Sequence, residues 1–303
     1  MSIKIVFMGS PDFSLSTLRA LANAYEVIGV VTQPDRASGR GRALKAPPVK
    51  TLALELGLPV IQPNKLREPE AMNQLRLWSP DLIVVAAFGQ ILKPEVLDLP
   101  RYGCINVHAS LLPRWRGAAP INAAVLAGDE ETGVTIMKMD VGLDTGPMLT
   151  QRTLRIAPDD TAGSLFDKLS TLGADLLIET LPGYLSGEIV PRAQSDEGAT
   201  YAPMLKKEEG LLDFTRPAEE LERRARAFNP WPGAYFEWRG GLLKVHRAHA
   251  ETGNASVGKR LIYEGQPAVG AGSGILVLDE VQPAGKKSMS GKSFLAGARE
   301  WNE

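Results

Sequence analysis

A chain of 303 residues is longer than a single hydrophobic core normally organises, so two domains are expected, at least one with a sizeable core. Its 44% apolar and 23% charged content and formal charge of -1 exclude a disordered, fibrous or membrane-spanning composition and leave any nucleic-acid contact to a local basic patch. The single cysteine, Cys104, excludes an internal disulfide and a cysteine-ligated zinc site, in keeping with a reducing compartment.

The first apolar run, IKIVFMG, starts at Ile3 without the basic, apolar and cleavage regions of a signal peptide, and a cytoplasmic location is expected. It is followed by FSLSTLRALANA, YEVIGVVTQ, PPVKTLALELG, LPVIQP, EPEAMNQLRLW, DLIVVAAFG and GCINVHA. Continuous β-branched strands alternating with amphipathic helices predict a parallel sheet covered on both faces, a Rossmann-like doubly wound α/β domain. Ligands of such a sheet bind at the carboxyl ends of its strands, which here carry GSPDF, AAFGQ and HASLLP. The first turn lacks G-x-G-x-x-G, which weakens a dehydrogenase reading.

Between the second strand and the next helix, Thr32–Lys50 holds Arg36, Arg40, Arg42, Lys45 and Lys50 against one acidic residue, Asp35. Gly39 and Gly41 predict a flexible loop on the proposed ligand edge, suited to phosphate contacts, although so short a basic run is also an ordinary solvated surface.

Strand alternation puts Cys104, Asn106 and His108 of GCINVHA on one face and Ile105 and Val107 on the other. An amide donor beside an imidazole suits carbonyl chemistry: Asn106 can stabilise a developing oxyanion and His108 can carry protons near neutral pH. The same pair would also serve to satisfy backbone groups at a strand end, and Cys104, a nucleophile in principle, fits core packing better. In GVTIMKMDVGLDTGPML, Asp140 and Asp144 sit in a glycine-permitted loop where Asp144 could orient His108, accept a proton or merely stabilise its own turn.

Strands at VTIMKMD and DTGPMLTQRTLRI precede a helical segment from Asp160 to Tyr184, interrupted at Gly173. Gly187–Pro203 reads as a linker, which bounds a catalytic domain of residues 1–203 and a second domain of 204–303. In the latter, the helix PAEELERRARAF, with Thr215 as N-cap, precedes the strands AYFEW, LLKVHRA, PAVGAG and GILVLDEV, a small OB-like β-barrel. Arg223, Arg224 and Arg226 on that helix, with Lys206, Lys286 and Lys287, would offer a second phosphate surface, opposed by Glu219, Glu220 and Glu222. GKKSMSGKS has five residues between Gly285 and Gly291 where a phosphate-binding loop has four, and His246 and His249 face opposite sides of a strand, so neither a nucleotide site nor a metal is expected.

NVHASLLPRWRGAAPI followed by GVTIMKMDVGLDTGPML resembles the signature of the 10-formyltetrahydrofolate-dependent formyltransferases. VTQPDRASGRGRALKAPPVK, RAFNPWPGAYFE and VQPAGKKSMS are similar to the branch acting on methionyl-tRNA, in the same order along nearly the whole chain. The resemblance implies that Asn106, His108 and Asp144 form the catalytic set. It also implies that Ser110, Leu111, Leu112 and Pro113 help hold the folate, with the pteridine in a crevice beside VVAAFGQIL that Phe88 could line. The implied reaction is direct formyl transfer to the amine of initiator methionyl-tRNA for translation initiation, by a monomer, with the arginine loop reaching the acceptor end. Two rivals stand: a formyltransferase for a small amino-sugar or other amine, and a noncatalytic RNA-binding module.

Overall fold

The structure, a computed structural model, describes residues 2–38, 43–298 and 300–302. In chain order the elements of the first half are β1 (Lys4–Gly9), α1 (Phe13–Ala24), β2 (Glu26–Val31), β3 (Arg36–Ser38), β4 (Ala43–Lys45), α2 (Pro48–Glu55), β5 (Val60–Ile61), α3 (Pro69–Trp78), β6 (Leu82–Ala86), α4 (Pro94–Leu97) and β7 (Cys104–His108). Then come β8 (Arg116–Gly117), α5 (Pro120–Ala127), β9 (Glu131–Lys138), β10 (Met148–Arg155), α6 (Ala162–Ser186) and β11 (Tyr201–Ala202). Last are α7 (Ala218–Ala227), β12 (Ala234–Trp238), β13 (Gly241–Glu251), β14 (Arg260–Tyr263), β15 (Gln266–Gly270), β16 (Ile275–Pro283), β17 (Met289–Ser290) and α8 (Gly291–Gly297). Among the described residues no helix is long and apolar enough to cross a membrane.

The chain packs as two compact units, one of residues 1–117, 132–155 and 166–201, the other of 118–131, 156–165 and 202–303. The first is built on a seven-stranded sheet ordered β10-β9-β7-β6-β1-β2-β5. Its strands β5, β2, β1, β6 and β7 are parallel, and β9 joins β7 antiparallel, so the expected parallel sheet is a mixed one. Uninterrupted runs such as LIVVA are buried at every position because helices cover both faces. Strand order reverses between β1 and β6, which is the switch point where a crevice opens at the carboxyl ends. Gly9 is needed there: a Cβ would stand 2.8 Å from the Ala86 carbonyl, an oxygen already capped at 2.6 Å by the Ser14 hydroxyl.

The other unit carries the antiparallel sheet β12-β13-β16-β15-β14, with β17 on β16, where the small barrel was expected. Its core gathers aromatic edges around Trp301, with Phe294 at 5.5 Å and Phe236 at 6.4 Å, and the indole donates to the Leu261 carbonyl. Thr215 does not cap α7. It folds onto Asp213, and Pro217 takes the N-cap position while the Ala218 amide is satisfied by the Ser273 carbonyl.

Gly173 does not interrupt α6, which runs unbroken over 25 residues. It is where the helix meets the sheet: a Cβ there would lie 2.7 Å from Val107 Cγ1 and 3.5 Å from Val134 Cγ1. The helix therefore rests directly on the apolar face of β7, whose opposite face carries Asn106 and His108. Gly173→Ala should cost about 1–3 kcal/mol of unfolding free energy in urea through overpacking. Combined with Val107→Ala the same change should turn neutral or stabilising, because the methyl then has room and alanine is the better helix former by about 1 kcal/mol. Equal destabilisation in both backgrounds would contradict this packing.

Candidate active site

β7 is buried along its length, and its last turn of side chains is polar. Asn106 is 9% and His108 5% exposed, a burial that polar groups tolerate only when they are paired. His108 Nε2 lies 3.0 Å from the Trp115 carbonyl oxygen. That oxygen can only accept, so Nε2 carries a hydrogen and Nδ1 is the nitrogen left for other chemistry. Nδ1 in turn faces Asp144 Oδ2 at 3.7 Å, and Asn106 Nδ2 donates to Asp144 Oδ1 at 3.4 Å. An amide, an imidazole and a carboxylate thus converge at one strand end.

How Asp144 reaches that place does not follow from strand order. β9 runs against β7 with Lys138 opposite Ile105 and Thr135 opposite His108, so β9 ends near the start of β7. The loop after it must double back to bring Asp144 to His108. Gly146 allows the return, since a Cβ there would collide with the Lys138 carbonyl at 1.9 Å, and Asp144 itself adopts a left-handed φ of 53°. Asp140 is spent inside the loop, accepting from the Gly142 amide and the Thr145 hydroxyl. Asp144 faces inward, and its Oδ2 also accepts from the Gly117 amide at 2.8 Å. Ala87 and Trp115, in the loops after β6 and β7, also hold left-handed φ without being glycine (45° and 62°). Such strain gathers where surrounding contacts enforce a functional shape.

The SLLP segment is held by its backbone. Thr135 Oγ1 accepts from the Leu112 amide and donates to the Ser110 carbonyl, Gln151 Nε2 donates to the Leu112 carbonyl, and the Ser110 hydroxyl donates to the Arg114 carbonyl. Ser110 and Leu112 are buried, whereas Leu111 and Pro113 are half-exposed. Any ligand contact through side chains falls to that second pair. Phe88 belongs to the core beside Val6, Met8 and Val85 instead of lining a crevice, and only its carbonyl reaches out, to Gln33 Nε2. Cys104 joins the same core, where burial and then the nearby Asp98 charge push its thiol up to about 12 against a weaker opposing pull from Lys138. A thiolate nucleophile is not available there.

Several residues that hold this site carry no functional signal of their own in the sequence, although Arg116 and Thr135 lie within its motifs. Arg116, Gln194, Thr200, Thr135 and Gln151 bind the loops that carry Trp115, Asp144 and SLLP. Gln194 and Thr200 lie in the segment expected to be a linker, which instead straps the site from Arg192, paired with Met148, to Thr200, bonded to Trp115.

At the carboxyl edge near β5 and β6, a cavity of about 640 Å³ is lined by Lys65, Arg67, Arg76 and Lys93 against Glu95, over an apolar floor that includes Met72 and Val96. Gln90 fixes its wall by accepting from the Leu66 amide. The basic segment after β2 forms an antiparallel hairpin, with Arg36 directly opposite Lys45 and both exposed. Arg40 and Arg42 lie outside the described residues. Asp35 is taken up by Lys50 and Gln62, whose hydrogen bonds, Gln62's first, hold its carboxyl below the usual range. In the other unit, Lys206, Lys286 and Lys287 are exposed, the last two on the turn between β16 and β17. Two arginines of α7 serve the fold: Arg224 donates to the Glu209 carbonyl and stacks on Phe228, and Arg226 donates to the Asp160 carbonyl. Among the described residues no cluster of His, Cys, Asp and Glu could hold a metal.

Residues 3–181 match the family model described as formyl transferase, and residues 204–299 match the formyl transferase C-terminal domain. The methionyl-tRNA formyltransferase of Myxococcus xanthus is 53% identical over 97% of this chain and 95% of its own length. That of Geobacter sulfurreducens is 51% identical over 98% and 94%. Among solved structures, the sugar 3N-formyltransferase WlaRD superposes with a TM-score of 0.69 at 16% identity, covering 95% of this chain and all of its own (100%). The methionyl-tRNA formyltransferase from Clostridium thermocellum does so with 0.58 at 16%, over 93% and 98%. The structural likenesses establish the shared fold; the sequence identities go further, and the chain belongs to the formyl transferase family, among its methionyl-tRNA formyltransferases.

Proposed function

We propose that this protein transfers the formyl group of 10-formyltetrahydrofolate to the α-amine of methionine esterified to initiator tRNA, with Asn106, His108 and Asp144 as the catalytic set. The observation that carries this reading is the convergence of those three groups on the end of β7, with Asp144 3.4 Å from the Asn106 amide and 3.7 Å from His108 Nδ1. The solved structures, the sugar enzymes at 16–20% identity and the Clostridium thermocellum enzyme at 16% alike, speak only to the fold. What favours the methionyl-tRNA reading over the amino-sugar alternative is that the methionyl-tRNA formyltransferases of Myxococcus xanthus and Geobacter sulfurreducens match this chain at about half of all positions along its length.

The chemistry suits the residues. A bond forms between the amine nitrogen and the formyl carbon, and the bond from that carbon to N10 of the folate breaks. The amine loses one proton and N10 gains one, so a single relay closes the balance. His108 has Nδ1 for this task because Nε2 is committed to the Trp115 carbonyl. Asp144 steadies the imidazole as it charges. Asn106 Nδ2 has a hydrogen to offer the oxygen of the formyl carbon as negative charge grows there, where a fixed donor needs no reorganisation. The folate would lie along the Ala87–Gln90 loop and SLLP, and the cations of the neighbouring cavity suit the carboxylates of its glutamate.

Residues 1–203 are read as the catalytic domain and 204–303 as a tRNA-binding domain, a division supported by the family models over 3–181 and 204–299. Arg36 and Lys45 stand side by side across a hairpin, a like-charge pairing that is unfavourable until an anion neutralises it. The acceptor-end phosphates of the tRNA would supply that anion, with Arg40 and Arg42 between them in sequence and Lys206, Lys286 and Lys287 adding contacts from the second unit. The setting is cytoplasmic translation initiation, and the acting species a monomer.

Incubation with folate labelled on its formyl carbon should move the label to charged initiator tRNA and not to uncharged tRNA or a dTDP-amino-sugar. Asn106→Ala should lower turnover about 100- to 1000-fold. Label on the sugar alone, or near-normal turnover without Asn106, would overturn the assignment. Replacing Arg36 and Lys45 together by alanine should reduce the slope of log affinity for tRNA against log salt by about 1 to 2 while the KM for folate holds. An unchanged slope would remove the hairpin from the interface.

A further inference from the structure

We propose that Gln194, held by the buried Arg116, is a positioning residue for the transfer reaction: it fixes the doubled-back loop so that the Asp144 carboxylate meets His108. The inference rests on the reading of Asp144 and His108 above.

Gln194 Nε2 donates to two carbonyls of that loop, Asp144 O at 2.8 Å and Gly146 O at 2.7 Å. Its Oε1 accepts from Arg116 Nε at 3.0 Å. The amide is therefore used on both ends, and its orientation is forced. Turned over, its oxygen would face two carbonyl oxygens and its NH₂ would face an N–H donor. Arg116 makes this orientation obligatory, and it is an expensive residue to put there: it is 2% exposed, and its ion-pair partner Asp196, at 3.3 Å, is 98% exposed and well screened. Its other contact, Nη2 to the Ser195 carbonyl at 3.4 Å, also lies on the strap. A buried cation with so little compensation is explained by what it orients.

The same short stretch acts on the triad from the opposite side. The Gly117 amide, next to Arg116, holds the Asp144 carboxylate, and the Trp115 carbonyl holds His108. Thr200 fixes that stretch, its Oγ1 accepting from the Trp115 amide and its carbonyl from the Arg116 amide, both at 2.9 Å. Asp144 is thus gripped twice, by its carboxylate from Gly117 and by its carbonyl from Gln194, in a left-handed conformation that few residues other than Gly, Asn and Asp adopt. Loosening the carbonyl grip lets the loop relax and moves the carboxylate away from Nδ1, and displacements on the order of 1 Å in a reacting geometry cost up to about 100-fold in rate.

The test is a double-mutant cycle between Gln194→Met, which keeps length and volume but removes the bonds to both carbonyls and to Arg116, and Asp144→Asn, read as single-turnover rates with thermal melting alongside. Gln194→Met should lower kcat about 10- to 100-fold with KM for both substrates within about twofold, and should cost less than about threefold further in the Asp144→Asn background. If Gln194→Met does not fold, Gln194→Glu serves, because it keeps the Arg116 contact while replacing the donor that holds the two carbonyls by a carboxylate oxygen that repels them; at least the same kcat loss is expected. Equal fractional losses in both backgrounds, or a lowered melting temperature with kcat intact, would overturn the positioning role. Full activity in Asp144→Asn alone would instead overturn the catalytic reading of Asp144.

Discussion

The site depends on three consecutive residues of main chain. Trp115 offers its carbonyl to His108 Nε2, Gly117 offers its amide to Asp144 Oδ2, and Arg116 between them is anchored through its side chain. The imidazole comes from the end of β7 and the carboxylate from the loop between β9 and β10, yet both take their position from this one stretch. Backbone groups make good references of this kind once their peptide planes are held, as the Trp115 and Arg116 amides are by Thr200. Trp115 holds a left-handed φ of 62° in this stretch, at whose two ends its carbonyl meets His108 and the Gly117 amide meets Asp144.

Sheet topology explains why that centre lies where it does. The reversal between β1 and β6 opens the crevice, Gly9 lets the two strand ends approach, and β7 adjoins β6 with its polar pair at the same edge. On the hidden side of β7 the constraint is packing, with Gly173 of α6 pressed against Val107. One strand therefore carries two demands on alternate residues: apolar contact with a helix on one face, and hydrogen-bonded chemistry on the other.

Alternation is also why Asn106 and His108 were legible in the sequence alone: a period of two assigns their face without any knowledge of the fold. Asp144 was a candidate from its loop, but only the family pattern chose its role beside His108, because its arrival there depends on a loop that doubles back after β9. Gln194 was not legible. Its segment has the Gly, Pro, Ser and Asp content of a linker, and side chains that bond to backbone leave no periodic trace. Gly173 misled in the opposite sense, since a glycine in a helix reads as a break unless the neighbouring Val107 is known. The arginine-rich stretch looked like a glycine-loosened loop, and the pairing of Arg36 with Lys45 that turns its flanks into a hairpin has no hydrophobic signature.

Most directly at issue is the geometry around the imidazole, which assigns the neutral ring a hydrogen on Nε2 and an open Nδ1 facing Asp144. Long-range ¹⁵N–¹H correlation spectra of the histidine-labelled protein, which has three histidines, with the His108 signals identified by their loss in His108→Asn, read that assignment out. In the neutral ring a pyrrole-type shift is expected for Nε2 and a pyridine-type shift for Nδ1. A neutral ring with its hydrogen on Nδ1 would contradict it.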